Sequence, residues 1–367
     1  MTLTTVAPLE ITGCGVVSPA GLGLDPLGEA LRRGRPGCSD PAQVPGDESV
    51  LEPIRVVPDL HAADHLGRKG TRNLDRTTVL GLVASKLALE DDPSTADEDP
   101  NRVGVVMGSS TGSVRSSAEF ARDTFVQDEP YLVNPGQFPN TVMNCCAGQI
   151  AIWNSLQGIN VTVAGGQLSS LFAMRYARNA LNQDAASRLL VGGVEELSPQ
   201  TAQAWHSSET LPPGTAVGEG CAVFIVEPEG SRPGVARLLA CEVAFSGTAD
   251  RRPRLAEGLT DCVERALKRS GVSPEEVSLV ALSAADAASA ETRIEERALG
   301  AVLGAVPERV AVKEIVGECY SASGAMQLAG LLALWRAEPP KEPVTALVTS
   351  VGRDGNVGCL VVRGGPR

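Results

Sequence analysis

Three features of this chain predict an α/β fold of two echoing halves. Short β-branched runs alternate with amphipathic helical stretches from end to end, the wiring of mostly parallel sheets with helices on their faces. The stretch "GEGCAVFIVE" at 218–227 is echoed by "GNVGCLVVR" at 355–363, placing Cys221 and Cys359 in matching positions, as a weak tandem duplication would. A length of 367 residues with 43% hydrophobic content suffices for one large core or two fused ones.

The elements follow in order. "LEITGCGVVSP" reads as a strand, then come a helix around Leu27 to Arg33, a longer helix over "TTVLGLVASKLALE" and the buried strand "RVGVVMGSS". "NVTV" and its helix are next, then the strand "SRLLVGGVEE", a short helix near "PQTAQAW" and the strand "GEGCAVFIVEPE", which closes the first half near Glu229. A second round starts with the strand "GVARLLACEVAFSG" and the helix "PRLAEGLTDCVERALKRSG". It continues as the strand "VSLVALSA", the helix "TRIEERALGAVLG", the strand "RVAVKEIVG" and the helix "SGAMQLAGLLALWR". "VTALVTSVGRDGNVGCLVVR" ends the chain as two strands about a Gly-Asn turn. The halves are therefore 1–229 and 230–367, with two unrelated α/β domains as the alternative.

Composition narrows the function. A net charge of -12 and a pI near 4.9 argue against nucleic-acid binding, which needs a concentrated basic footprint. No basic start precedes an apolar run, so neither a signal peptide nor a membrane span is expected, and cytoplasm is the expected compartment. Nine cysteines without C-x-x-C pairs read as thiols in a reducing compartment, not as a disulfide framework or a metal site. No cofactor is expected.

"ITGCGVVSPAG", "GRKGTRNLDR", "VGVVMGSSTGS", "FPN" at 138–140, "GINVTVAGGQLSS", "VGEGCAVFIVE", "VKEIVGECYSASGAMQLA" and "TSVGRDGN" occur in this order. Together they resemble the β-ketoacyl synthase family over nearly the whole chain. The resemblance implies the thiolase fold, two duplicated halves in five αβαβα layers. Two segments look short for that family: the stretch between "VGGVEELSP" and "VGEG" lacks the family's Arg-Pro-Phe-Asp run, and the second half begins with little of the usual long loop.

Ketosynthase chemistry needs a Cys at a helix N-terminus, where the dipole favours the thiolate that accepts an acyl group. Two His residues and backbone N–H groups then stabilise the charge developed during decarboxylation. Aligned on the family's motifs, Gln167 takes the nucleophile position. Ala284, within "SAADAAS", falls where the first His would be, and Glu318 takes the second, while Lys313 and Gly317 of the Lys-x-x-x-Gly-His motif are kept. The chain has three His residues, His61, His65 and His206, all in the first half, so no change of register restores a catalytic His in the second.

The resemblance then implies a chain length factor, the inactive partner of a type II polyketide ketosynthase, with a catalytic ketosynthase subunit and an acyl carrier protein as partners. One alternative is a malonyl-carrier decarboxylase of the Gln-bearing branch, which relies on the paired His. Another is a stand-alone homodimeric acyl-binding scaffold, and Gln167 acting merely as a helix cap and pocket filler is compatible with the first reading. Cys319, beside Glu318, and Cys145 and Cys146, in the apparent helix "NCCAGQIAIWNSLQ", are poor substitute nucleophiles, through a raised thiol pKa and burial respectively.

Partner contacts are implied by the same resemblance. "NVTV", Asn160, Val161, Thr162 and Val163, corresponds to the strand that pairs across the family's two-fold axis. Ser113, Arg115, Phe120 and Phe138 are candidate tunnel or interface positions. Arg68, Arg72 and Arg76 are spaced for one helix face beside Lys69, and Lys69 and Arg72 are the candidate carrier-docking residues, with a solvated face as the plain alternative. The family's Phe-bearing gating loop reads "TSVGRDG", with Val351 and Arg353 replacing both aromatics.

Overall fold

The computed structural model describes residues 7–46, 49–208, 210–232, 234–247, 252–284 and 289–366, the side chains of 252 and 253 excepted. The first half carries β1 (Leu9–Ser18), β2 (Gly21–Leu22), α1 (Leu24–Arg33), β3 (Ile54–Arg55), α2 (Ala62–Leu66), α3 (Arg76–Asp91) and β4 (Val103–Gly108). It continues with α4 (Val114–Val126), α5 (Cys145–Trp153), β5 (Asn160–Val163), α6 (Ser169–Asn182), β6 (Arg188–Glu195), α7 (Pro199–Ser207), β7 (Val217–Gly218) and β8 (Gly220–Pro228). The second half comprises β9 (Ala236–Phe245), α8 (Arg252–Ser270), β10 (Val277–Ala281), α9 (Ala290–Leu303) and β11 (Glu308–Arg309), then α10 (Val312–Val316), α11 (Ser323–Ala337), β12 (Val344–Val351) and β13 (Asn356–Gly364).

The main strands follow one hydrogen-bonded path, β11-β10-β12-β13-β9-β1-β8-β6-β4-β5, with β2 folded back on β1. Read outward from the β1–β9 junction, the two halves have the same order, β1-β8-β6-β4-β5 and β9-β13-β12-β10-β11. Each half has two antiparallel pairs followed by two parallel ones, so the duplication is visible in pairing sense as well as in order. Cys221 lies on β8 and Cys359 on its counterpart β13, both fully buried. The sheets are mixed rather than mostly parallel. The reason is local in the second half, where the short connection between β12 and β13 can return the chain only antiparallel.

The junction between halves is narrow: β1 and β9 pair through Leu9, Glu10 and Ile11 alone. Beyond it the half-sheets face each other across α6 and α11, whose apolar residues share one core with both. A second core packs α3 and α5 on the outer face of the first half, and a third packs α8 and α9 on the outer face of the second. That gives the five αβαβα layers. Close approach of the outer layer requires glycine on β1: a Cβ at Gly15 would lie 2.0 Å from the Ala84 carbonyl oxygen of α3. Among the described residues, no helix is long and apolar enough to cross a membrane.

Local expectations fail at three places. "RVAVKEIVG" is not one strand, because pairing stops at Arg309 and Val312–Val316 forms α10. The final hairpin turns through 352–355, so Asn356 already belongs to β13. The arginines at 68, 72 and 76 do not share a helix face. Gly67 and Gly70 adopt φ of 82° and 83°, breaking the chain into turns between α2 and α3.

Lys69 and Arg72 are exposed in those turns, whereas Arg76 reaches inward. Its guanidinium pairs with fully buried Glu219 at 2.5 Å, and Glu219 also accepts the Val57 and Leu197 amides at 2.8 and 3.0 Å. Arg76→Ala would strand that carboxylate, and denaturant unfolding is expected to register a loss of about 3–5 kcal/mol. A loss near that of a surface arginine, below about 1 kcal/mol, would contradict this role.

Candidate functional site

The turn after β5 sets the site. Gly166 has φ of 57°, and a Cβ there would lie 3.0 Å from an Asp354 carboxylate oxygen and 3.2 Å from the Tyr320 hydroxyl, so a side chain there would be both strained and crowded. Gln167 follows in a single 3-10 turn, Gly166–Leu168, that runs into α6, and its side chain is buried. It does not cap the helix: α6 has no side-chain cap, and Ser169 bonds the turn instead, accepting from the Gly165 amide and donating to the Gly166 carbonyl.

Gln167, Ala284, Lys313 and Glu318 come together around one small cavity, with Thr215, Arg353 and neighbours completing the wall. Ala284 is described, while 285–288 of the same segment lie outside the described residues. The space is ≈ 10 Å³, about enough for one water molecule. Lys313 closes it. Its ammonium meets the Glu318 carboxylate at 2.5 Å and donates to the Ser283 carbonyl, also at 2.5 Å. Glu318 is further held by the Tyr320 amide at 2.9 Å and the Ser323 hydroxyl at 3.0 Å. Behind it, buried Glu295 accepts from the Ser283 and Ala284 amides and the Thr349 hydroxyl.

A larger cavity of ≈ 390 Å³ lies on the other side of Gln167. Gln167, Glu195 and Thr201 are its buried residues; Val114, Trp205, Tyr320, Arg353 and Asp354 add walls, and Thr111 and Ala204 stand at its open side. Trp205 and Tyr320 meet edge to face with centroids 5.0 Å apart. Tyr320 holds φ of 38°, a left-handed conformation uncommon for a bulky residue.

Burial pushes the carboxyls of Glu195 and Glu196 up to about 7, against hydrogen bonds that lower them. Ser321 has one hydroxyl proton and faces two acceptors, the Val194 carbonyl at 2.8 Å and Glu195 at 2.5 Å. A proton on Glu195 resolves that conflict. Sequence reading missed these two acids, although a fully buried strand ending in two carboxylates was the available signal.

The partner-facing candidates divide. Ser113 is buried, caps α4 by accepting the Ser116 amide, and donates to Glu196. Arg115 pairs with Glu119 at 2.6 Å on the same helix. The Phe120 and Phe138 rings meet at a 60° tilt with centroids 5.9 Å apart, and Phe138 remains 58% exposed. Asn160 is exposed and Val161, Thr162 and Val163 are half-buried at the outer end of the sheet, where β5 pairs with β4 alone among the described residues. The three substitute thiols are all raised, chiefly by burial, with Glu318 adding to the effect at Cys319.

Residues 7–231 match the β-ketoacyl synthase N-terminal domain and 235–338 the C-terminal domain. The chain belongs to the β-ketoacyl synthase family. It is 34% identical to a solved structure described as the ishigamide ketosynthase/chain length factor, with a TM-score of 0.84 over 98% of this chain and 100% of that one. It is 29% identical over 386 residues to a protein of Streptomyces coelicolor named as an actinorhodin polyketide β-ketoacyl synthase 2, covering 97% of this chain and 92% of the relative. A 3-oxoacyl-[acyl-carrier-protein] synthase 2 of Coxiella burnetii is 25% identical over 348 residues, 86% of this chain and 83% of that one.

Two expectations follow from the site. Glu318→Ala leaves Lys313 buried without its carboxylate, and equilibrium unfolding should show a loss of about 3–5 kcal/mol; an unchanged midpoint would refute the closure. Glu195, raised from 4.5 to about 7 on folding, contributes stability that is complete below its unfolded value and lost as pH rises through about 7. The melting temperature of Glu195→Gln relative to wild type should therefore climb across that window, and a flat difference would speak against the shift.

Proposed function

We propose that this chain is a non-catalytic, chain length factor-like subunit of a type II polyketide synthase. It associates with a catalytic ketosynthase and helps shape the tunnel that receives the growing chain. One observation carries the proposal: the positions where the family keeps a thiol and two imidazoles converge here as Gln167, Ala284 and Glu318 on a space of only ≈ 10 Å³, lined by the Lys313–Glu318 pair. A carboxamide does not form a thioester, and Glu318, paired with Lys313 as a carboxylate, accepts hydrogen bonds and has none to donate to a substrate carbonyl as an imidazole N–H would.

Association is supported by the surface around β5. An unpaired edge of half-buried β-branched residues is a template for another strand. Exposed Phe125, Tyr131, Phe138, Ile152 and Trp153, at 37–87% accessibility, lie on the neighbouring α4 to α5 region. Such a concentration of large apolar side chains marks a contact surface. Lys69 and Arg72 suit an acidic carrier and border this region, since Gly70 between them lies against the Trp153 ring.

Co-expression with a type II ketosynthase followed by sizing is expected to yield a one-to-one complex whose polyketide synthesis disappears when the partner's nucleophilic Cys is replaced. Thr162→Pro should weaken the complex by removing an edge donor. A chain that stays apart from the ketosynthase, or condenses without a partner thiol, would overturn the proposal.

A further inference from the structure

A cluster of charge lies outside the lining of both cavities at Gln167. Past Leu238, β9 has no strand beside it on the β1 side among the described residues, and arginines approach it instead. Arg175 and Arg178 come from α6, three residues apart, and Arg265 and Arg269 from α8, four apart, so each pair shares one helix face. Three of the four face one carboxylate, Glu242 of β9: Arg269 at 2.7 Å, Arg265 at 3.8 Å and Arg178 at 4.0 Å. Arg175 donates to the neighbouring Val243 carbonyl at 3.2 Å. Asp261 of α8 also bears on Cys262 beside the cluster, but among the described residues it forms an ion pair with none of the four. In a chain of net charge -12, four guanidiniums against one carboxylate are a local reversal of sign.

The cluster is short of acceptors. The Arg269 contact alone is of hydrogen-bond length, and Arg265 and Arg178 stand beyond it. Arg178 is 4% exposed, and its Nε and Nη1 have no hydrogen-bond partner among the described residues, nor has Nε of Arg269. A buried guanidinium with unmet N–H groups is costly, and water accepts from it without neutralising it. An anion meets both needs. Because the guanidiniums arrive from two helices, an acceptor with oxygens on several sides suits them better than a planar carboxylate. Arg265 and Arg269, with side chains 34% and 28% exposed, give such a group a way in from solvent.

We propose that Arg178, Arg265 and Arg269, with Arg175 adding charge, bind a phosphate-type dianion, either free or as the end of a larger ligand. The anion joins α6 of the first half to α8 and β9 of the second. This site is independent of the subunit role proposed above.

Calorimetric titration of sodium phosphate into the full chain, with sodium chloride of matched ionic strength as the reference, should show saturable binding. Arg178→Gln is expected to weaken it about ten-fold or more, the scale of a charge-assisted hydrogen bond. Arg265→Gln, on the solvent side, leaves the buried position intact and should weaken phosphate about three-fold or more; it decides the matter if Arg178→Gln does not fold. Glu242→Gln removes the competing carboxylate and should tighten binding, whereas a purely internal ion-pair network gains nothing from phosphate. Phenyl phosphate tells the two sources apart: tighter binding than inorganic phosphate marks the end of a larger ligand, and weaker or equal binding marks the free ion. Binding no stronger than that of chloride, unchanged affinity in Arg265→Gln or in folded Arg178→Gln, or weaker binding by Glu242→Gln would each overturn the proposal.

Discussion

The meeting of two helix starts between the half-sheets is the constraint on which this molecule depends. The turn before α6 and the turn before α11 press together where Gly166 lies 3.2 Å or less, from its missing Cβ, to Tyr320 and Asp354. Both helices are central to the shared core, so neither turn can retreat without opening apolar contacts on both sides. Gln167 is consequently held as a buried divider between a large cavity and a very small one. The left-handed Tyr320 stands across from left-handed Gly166, each in the turn that opens its helix, as two copies of one motif facing each other would.

A buried ion pair dominates the small side. A buried ammonium is costly without a partner, and Lys313 has one in Glu318, with a backbone carbonyl completing its contacts. Glu318 is satisfied in turn by an amide and a hydroxyl. The arrangement is self-contained: donors and acceptors that an active site would aim at a substrate are aimed at each other. On the large side Glu195 and Glu196 behave differently, since burial favours their neutral forms and their hydrogen-bond partners are hydroxyls together with the Ser321 amide at Glu195 and the Arg115 amide at Glu196.

The remaining features point outward from that centre. β5 ends the sheet one turn before Gln167, so the unpaired edge and the cavity floor belong to one continuous segment. Helix α4 joins them on the other side: its N-terminal residues Ser113 and Val114 sit at the cavity and at Glu196, while Phe125 at its far end is 87% exposed. Any subunit that covers the edge and the apolar surface is thus connected to the cavity through one strand and one helix.

The duplicated α/β plan was legible in the chain itself, while the layer count and the placing of Gln167, Ala284 and Glu318 at catalytic positions came only with its resemblance to the ketosynthase family. Period-two and helical patterns are local, matched glycine-cysteine strands are visible by eye, and three His residues confined to the first half are a matter of counting. Tertiary structure decided which strands become neighbours, because β8 returns beside β1 and β13 beside β9 at a distance no local pattern records. It also decided the fate of individual charges. Arg76, spaced as a surface residue, is drawn inward by Glu219, 143 residues away, and Lys313 finds its partner only because Gly317, with φ of 77°, turns Glu318 back toward it. Spacing specifies which residues are neighbours on one element; burial and partner choice are set where separate elements and turns meet in the folded chain.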